Sequence, residues 1–131
     1  MDIGSELHLQ GVHPDLVRVV RAASQLPQPF RVICGMRGLE AERRAVATGH
    51  SETMHSRHLP GTAGYACAVD VAALEQGQIS FALGHELEVF GAIAAQIKAA
   101  AAQLQVPLEW GGDWTSLKDW GHFQLPWAQY P

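Results

Sequence analysis

Near the end of the chain stands Asp119-Trp120-Gly121-His122-Phe123, the stretch from which the fold prediction starts. It carries a carboxylate three residues before an imidazole, and one metal centre could use both groups. In a regular strand Asp119 and His122 would point to opposite faces of the sheet, because side chains alternate. Gly121 allows the bend or bulge that would bring both side chains inward. The stretch therefore predicts a bent strand beside a metal site.

A second pair of the same residue types lies in the middle of the chain. His58 is followed after a loop by Asp70, which lies between apolar residues on both sides. A carboxylate buried in such surroundings needs a compensating cation. Two imidazoles and two carboxylates supply a hydrolytic zinc centre, in which three groups hold the ion, an open position holds water and the fourth group accepts the proton. The spacing of these four residues does not by itself identify a zinc centre. The identification also depends on the residues that surround each pair.

Composition and charge restrict the classes of protein that the chain can represent. Its 131 residues are 47% apolar and 17% charged, as in one globular domain. The net charge of -4 disfavours a nucleic-acid-binding protein, which normally carries a basic surface. No apolar run approaches the ~20 residues of a membrane helix, and no signal peptide is visible. We therefore expect synthesis and folding in the cytoplasm, without membrane insertion.

The hydrophobic pattern predicts helices and strands in mixed order. Helices are predicted from residue 14, over 39–48 with Gly49 as a C-terminal cap, and over 84–105. Strands are predicted over 30–34, 66–72, 108–110 and 122–125, with a loop over 50–64. Because no regular βαβ alternation occurs, the pattern indicates an α+β fold in which helices flank a central antiparallel sheet. We expect a single small domain over residues 1–131, with its motifs between about 11 and 125.

Three segments of the chain, taken together, resemble a known family of zinc peptidases. This family includes D-alanyl-D-alanine carboxypeptidases and the short phage endolysins that are L-alanyl-D-glutamate endopeptidases. The matching segments, in the family's order, are residues 11–17, residues 32–37 with 51–59 and 68–70, and residues 110–114 with 119–123. The resemblance implies the zinc fold that D,D-peptidases share with hedgehog-type domains.

The resemblance also implies roles for the residues at the matching positions. It implies one zinc ion held by His58, Asp70 and His122. It implies that Asp119 is the general base and that Arg37 is the cation that steadies the substrate and the oxyanion. The planar guanidinium of arginine suits a carboxylate, such as that of D-glutamate, or a tetrahedral oxyanion.

Three further residues are expected to line the cleft. Ser56 matches the serine before the first ligand, which implies a supporting or substrate-contacting role. His55 could face the same site as His58, but the motif favours His58 as the ligand and His55 as a cleft residue. All four tryptophans lie in the last 22 residues, which suggests an aromatic wall with Trp114 in contact with the substrate. Any one of them could equally close the core of a small domain.

Two smaller features concern the loop and the cysteines. Eleven residues separate His58 from Asp70, more than in the shortest family members, so residues 60–65 are expected to form a loop insertion. Cys34 and Cys67 lie in apolar, strand-like runs and are expected to be small buried hydrophobes. A disulfide or a metal-ligand role for them stays open.

These observations predict a phage or prophage endolysin that acts as a monomer. We expect a zinc metallopeptidase that hydrolyses the L-alanyl-D-glutamate bond of bacterial peptidoglycan stem peptides and does not bind nucleic acid. By resemblance, it would be stored in the host cytoplasm and would reach the periplasm through holin-type lesions. The alternatives are a zinc D-alanyl-D-alanine carboxypeptidase or dipeptidase, a catalytically inactive zinc-stabilised binding module, and a metal-free structural protein.

Overall fold

Helices and strands alternate irregularly in the computed structural model, which describes residues 1–37, 47 and 56–131. The helices are α1 (Ile3–His8), α2 (Pro14–Ala23) and α3 (Glu86–Gln103). The strands are β1 (Phe30–Cys34), β2 (Ala68–Glu75), β3 (Gln78–Ser80), β4 (Glu109–Trp110) and β5 (His122–Gln124), and a 3-10 turn covers Gly111–Asp113. The helix expected over 39–48 and its cap Gly49 lie outside the described residues, except that residue 47 is helical.

The strands form one antiparallel sheet around β2. One edge of β2 pairs with β1, and the other edge pairs with β5 along its first half and with β3 along its second half. β4 continues the sheet beyond β5. A gap therefore separates β5 from β3 beside Val71 and Ala72. The predicted α+β class with a central antiparallel sheet is confirmed.

Helices α2 and α3 pack on the hydrophobic core of the sheet. Helix α2 begins at Pro14, whose fixed backbone angle suits a first helical position. Helix α3 buries one apolar stripe, which includes Phe90, Ile93, Ala94, Ile97 and Ala101. Leu87, which the same spacing assigns to this stripe, is 66% exposed because the first turn of α3 extends past the core. Within the described ranges, none of the helices is long and apolar enough to span a bilayer.

Arg57, the residue before His58, holds residues 125–130 against the sheet. Its guanidinium donates to the carbonyl oxygen of Leu125 at 3.1 and 3.3 Å and to that of Tyr130 at 2.6 Å. The same group lies 3.9 Å from the centre of the Trp127 ring. Arg57 is only 4% exposed, so these contacts replace the water that its charge has lost.

The loop over 60–65 is hydrogen-bonded to the last residue of the chain, next to the segment that Arg57 holds. Thr62 donates to the Pro131 carbonyl oxygen through its N–H at 3.1 Å and through its hydroxyl at 2.5 Å. The N–H of Gly61 donates to the Tyr65 carbonyl oxygen at 2.9 Å. The loop between His58 and Asp70 therefore packs against residues 129–131, and its status as an insertion stays a prediction.

We expect Arg57→Ala to lower the free energy of unfolding by about 3 kcal/mol, because two carbonyl groups lose a charged, buried donor. Urea denaturation followed by circular dichroism measures the change. Arg18→Ala is the matched control, since Arg18 is exposed and pairs with Asp15 at 2.9 Å. Its loss should stay near about 0.5 kcal/mol. Equal losses in the two variants would contradict a stabilising role for the Arg57 contacts.

Candidate metal centre

Strand pairing brings together the residues of the centre that are distant in sequence. Asp70 in β2 lies opposite His122 in β5 and opposite Cys34 in β1. The pairing of β1 with β2 shifts register at Ile33, which is a bulge next to Asp70. Bulges at such places redirect side chains toward a site. Asp70 is thus the point at which three strands meet.

The carboxylate of Asp70 lies between two buried imidazoles. Its Oδ2 is 3.2 Å from His58 Nε2, and its Oδ1 is 3.1 Å from His122 Nδ1. His58 is 4% exposed and His122 is 7% exposed, and their ring centres are 5.3 Å apart. The three side chains expected as metal ligands therefore share one small volume. They offer the nitrogen and oxygen donors that zinc accepts.

Both imidazoles are held by acceptors on the ring nitrogen that faces away from Asp70. His58 Nδ1 is 2.8 Å from the carbonyl oxygen of Gly35, and His122 Nε2 is 2.8 Å from Gln124 Oε1. When these nitrogens carry the proton, the other nitrogen of each ring is left as a donor atom for a metal. The sequence interpretation missed both supports. Gln124 could have been found, because it stands two residues after His122 on the same strand face.

Asp119 stands at the open side of this group. Its Oδ2 is 3.9 Å from His122 Nδ1, and 56% of its side chain is exposed. Ligand atoms of Asp70, Asp119 and His122 all lie within 4.8 Å of one another. The His122 N–H donates to the Asp119 carbonyl oxygen at 3.2 Å, which forms a turn before β5 begins. The strand alternation therefore does not apply to Asp119, and a turn takes the place of the bend or bulge expected at Gly121.

Two glycines allow the backbone to approach closely around Asp119. A Cβ at Gly121 would overlap the carbonyl oxygen of Val71, and the Gly121 carbonyl oxygen accepts the Val71 N–H at 2.8 Å. A Cβ at Gly111 would overlap the carbonyl oxygen of Asp119, whose N–H donates to the Gly111 carbonyl oxygen at 3.1 Å. Glycine is needed at both positions for space.

The charges of the centre depend on one another. Burial alone would raise the pKa of Asp70, but hydrogen bonds with His122 and His58 hold that pKa well below its usual range. Burial alone would lower the pKa of His58, but hydrogen bonds with Asp70 and Cys34 outweigh it and raise the pKa to about 10. Although more than half of the Asp119 side chain is exposed, the neighbouring groups that exclude water from its inner side and the charge of Asp70 raise its pKa. Without a cation, protonated His58 neutralises Asp70, and a bound metal ion would take the place of that proton.

Arg37 and Cys34 lie beside the Nδ1 side of His58. Cys34 Sγ is 3.8 Å from His58 Nδ1, and Arg37 Nη2 is 3.4 Å from the same sulfur. The backbone N–H of Arg37 donates to the His58 carbonyl oxygen at 2.7 Å. Arg37 thus lies near the centre, and its role toward the substrate and the oxyanion stays a prediction.

The two cysteines differ in their surroundings. Cys67 is buried as expected, whereas Cys34 is half-buried and adjoins the centre. Ligand atoms of Cys34, His58 and Asp70 lie within 4.8 Å of one another, so Cys34 joins the possible metal-binding groups. Both thiols are free, which answers the open question of a disulfide.

The loop before His58 carries two residues expected in the cleft. Ser56 Oγ accepts the backbone N–H of His58 at 3.0 Å, which is a supporting contact. His55 lies outside the described residues. A substrate contact of Ser56 stays a prediction.

The tryptophans do not form one wall. The Trp114 ring centre is 5.2 Å from that of His122, so Trp114 alone of the four has a ring contact with an imidazole of the centre within the described residues. Trp110 is buried in the core and donates through Nε1 to the Trp120 carbonyl oxygen at 2.8 Å. Trp127 covers the guanidinium of Arg57.

Known proteins are similar to this chain along most of its length. A sequence model of the family described as phage L-alanyl-D-glutamate peptidase matches residues 1–123. The chain is 30% identical over 120 residues to the L-alanyl-D-glutamate peptidase of Escherichia phage T5, over 88% of this chain and 82% of that protein. The crystal structure of the Serratia marcescens L-Ala D-Glu endopeptidase ChiX matches with a TM-score of 0.84 and 39% identity, over 98% of this chain and 91% of that one.

We expect Gln124→Leu to weaken zinc binding by roughly 10- to 100-fold, because His122 loses the acceptor that orients its ring. Competition with a chromophoric chelator measures the affinity. Gln78→Leu on β3 is the control, since Gln78 is exposed and distant in the sheet from the centre. Unchanged affinity in Gln124→Leu would show that the contact does not orient a ligand.

Proposed function

The chain belongs to the phage L-alanyl-D-glutamate peptidase family, and on this premise we propose that it is a zinc-dependent endopeptidase. Its substrate would be the L-alanyl-D-glutamate bond of peptidoglycan stem peptides. The observation that carries the metal assignment is the Asp70 carboxylate between two oriented imidazoles, with Asp119 beside them. We further propose that it serves as an endolysin, is stored in the host cytoplasm and acts as a monomer after release.

The proposed ligands are His58 through Nε2, His122 through Nδ1 and the Asp70 carboxylate. Two nitrogen donors and one oxygen donor leave a fourth zinc position for water or for the substrate carbonyl oxygen. When bound, zinc would polarise that carbonyl and lower the pKa of the water to about 7. Cys34 remains outside this set, because its sulfur approaches the Nδ1 side of His58, where the Gly35 carbonyl oxygen also lies.

Asp119 is proposed as the general base. It accepts a proton from the attacking water as the water oxygen bonds to the carbonyl carbon. The carbon–nitrogen bond then breaks, and the same proton passes to the leaving amino group of D-glutamate. Aspartate side chains are ordinarily ionised at neutral pH, so Asp119 is competent to accept this proton.

Arg37 is proposed to face the negative charge of the substrate. Its position near His58 allows the guanidinium to meet either the D-glutamate carboxylate or the oxyanion that forms on the attacked carbonyl. Trp114, Ser56 and His55 are proposed to line the cleft around the peptide.

Digestion of purified peptidoglycan tests the activity. We expect muropeptides with a new N-terminal D-glutamate, because the cleaved bond lies before that residue, and mass spectrometry of the fragments identifies it. Release of free D-alanine without such fragments would instead indicate a carboxypeptidase. Absence of both products with the zinc-loaded protein would contradict the proposed activity.

We expect Asp119→Asn to lower the rate of peptidoglycan hydrolysis by roughly 10²- to 10⁴-fold while zinc stays bound, since only the proton acceptor is lost. Turbidity of a peptidoglycan suspension measures the rate, and elemental analysis measures the zinc content. Asp113→Asn is the matched control, because Asp113 is exposed and pairs with Lys98 at 2.7 Å. Zinc-loaded Asp119→Asn that hydrolyses as fast as Asp113→Asn would exclude Asp119 as the base.

A further inference from the structure

A cavity of about 340 Å³ opens beside the centre, in the gap between β5 and β3 along the edge of β2. Asp70 and Asp119 line it, so it is continuous with the place where the reaction is proposed to occur. The rest of its wall is mainly apolar and includes Ile33, Phe81, Leu83, Phe90 and Trp120. Apolar clefts that adjoin a few polar groups are typical of ligand sites.

The segment between β3 and α3 holds two large apolar side chains at this cavity. Phe81 is 55% exposed and Leu83 is 84% exposed, although both are apolar. Ala82 between them is buried and has a φ of 53°, a conformation that side chains other than glycine rarely adopt. Its N–H donates to Ser80 Oγ at 3.0 Å, which helps to fix the segment. Strained backbone that keeps apolar groups exposed is a frequent feature of binding sites.

One carboxylate at the cavity lies outside the proposed metal centre and can pair with a cation. Three carboxylates, those of Asp70, Glu86 and Asp119, face one ammonium group, that of Lys118. The Lys118 ammonium donates to two backbone carbonyl oxygens at 3.0 Å each, so it mainly holds the turn beside the cavity. Asp70 and Asp119 belong to the proposed reaction. Glu86, in the first turn of α3, is the remaining carboxylate; its Oε1 accepts the Gly84 N–H at 3.1 Å, and its second oxygen can pair with a cation.

We propose that this cavity is the subsite for the residue that follows D-glutamate in the stem peptide. That residue is a diamino acid, whose long aliphatic side chain carries an amino group at its end. The aliphatic chain packs on Phe81 and Leu83, and the ammonium group pairs with Glu86. This assignment rests on the proposed function, since it places the scissile bond at Asp119. On the alanyl side, the substrate continues from a methyl side chain to the sugar through an uncharged amide, so that side offers no cation for Glu86.

The test uses peptides L-Ala-γ-D-Glu-X in which X is lysine, diaminopimelate or norleucine. Norleucine keeps the aliphatic chain of lysine and lacks its ammonium group. We expect kcat/KM of the zinc-loaded protein to be roughly three- to tenfold higher for lysine or diaminopimelate than for norleucine, as for a partly exposed ion pair. The ratio of lysine to diaminopimelate shows which diamino acid fits better. In Glu86→Gln the preference over norleucine should fall to about one.

Glu88→Gln is the matched control, because Glu88 lies in the same turn of α3 and does not line the cavity. It should keep the preference for lysine. Leu83→Ala should lower kcat/KM for the lysine and norleucine peptides alike by roughly tenfold. Leu87→Ala should not, because Leu87 is also exposed but does not line the cavity. Calorimetric binding of the product dipeptides D-Glu-γ-Lys and D-Glu-γ-norleucine gives the same comparison without turnover.

The outcomes separate this subsite from the proposed function. If the protein digests peptidoglycan but shows no preference for lysine, or keeps that preference in Glu86→Gln, the subsite is wrong and the endopeptidase stands. If changes on the alanyl side alone alter kcat/KM, the cavity holds that side instead. If neither peptidoglycan nor any peptide is cleaved, the proposed function fails and the subsite fails with it.

Discussion

The carboxylate of Asp70 is the group on which the rest of the structure depends. It lies in the central strand between the buried side chains of Val69 and Val71, where a lone negative charge would be costly. Two imidazoles remove that cost, and each comes from a different part of the chain. The sheet has to pair correctly and the loop before β2 has to pack before the charge is compensated. Formation of the core and formation of the centre are therefore coupled.

The fold class could be predicted from the sequence because it depends on strong local patterns, whereas the metal-ligand roles, which the resemblance to a family implied, stay a prediction. Apolar periodicity indicated the long helix α3 and the strands, and the motif residues His58, Asp70, His122 and Asp119 lie together in the structure. The supporting atoms were harder to find. The Gly35 carbonyl belongs to the backbone, and no side-chain pattern marks it.

Three details of the fold were predicted wrongly or missed, because they depend on how helices and strands pack and not on the sequence pattern alone. Leu87 fits the spacing of the α3 stripe, but periodicity does not tell where the core ends along the helix. Cys34 follows apolar strand residues, and the register shift at Ile33 changes its surroundings from core to site. Helix α1 was not predicted, although Asp2 accepts the Ser5 N–H as a helix cap, because six residues carry too little periodic pattern.

The register in which Asp70 pairs with His122 decides whether a folded molecule can bind the ion. Side chains alternate along β2, so a slip by one residue against β5 would turn the carboxylate to the other face of the sheet. Misregistered molecules would then lack the donor set altogether. Only molecules with the native pairing would retain the ion, and an excess of metal would enrich them by mass action.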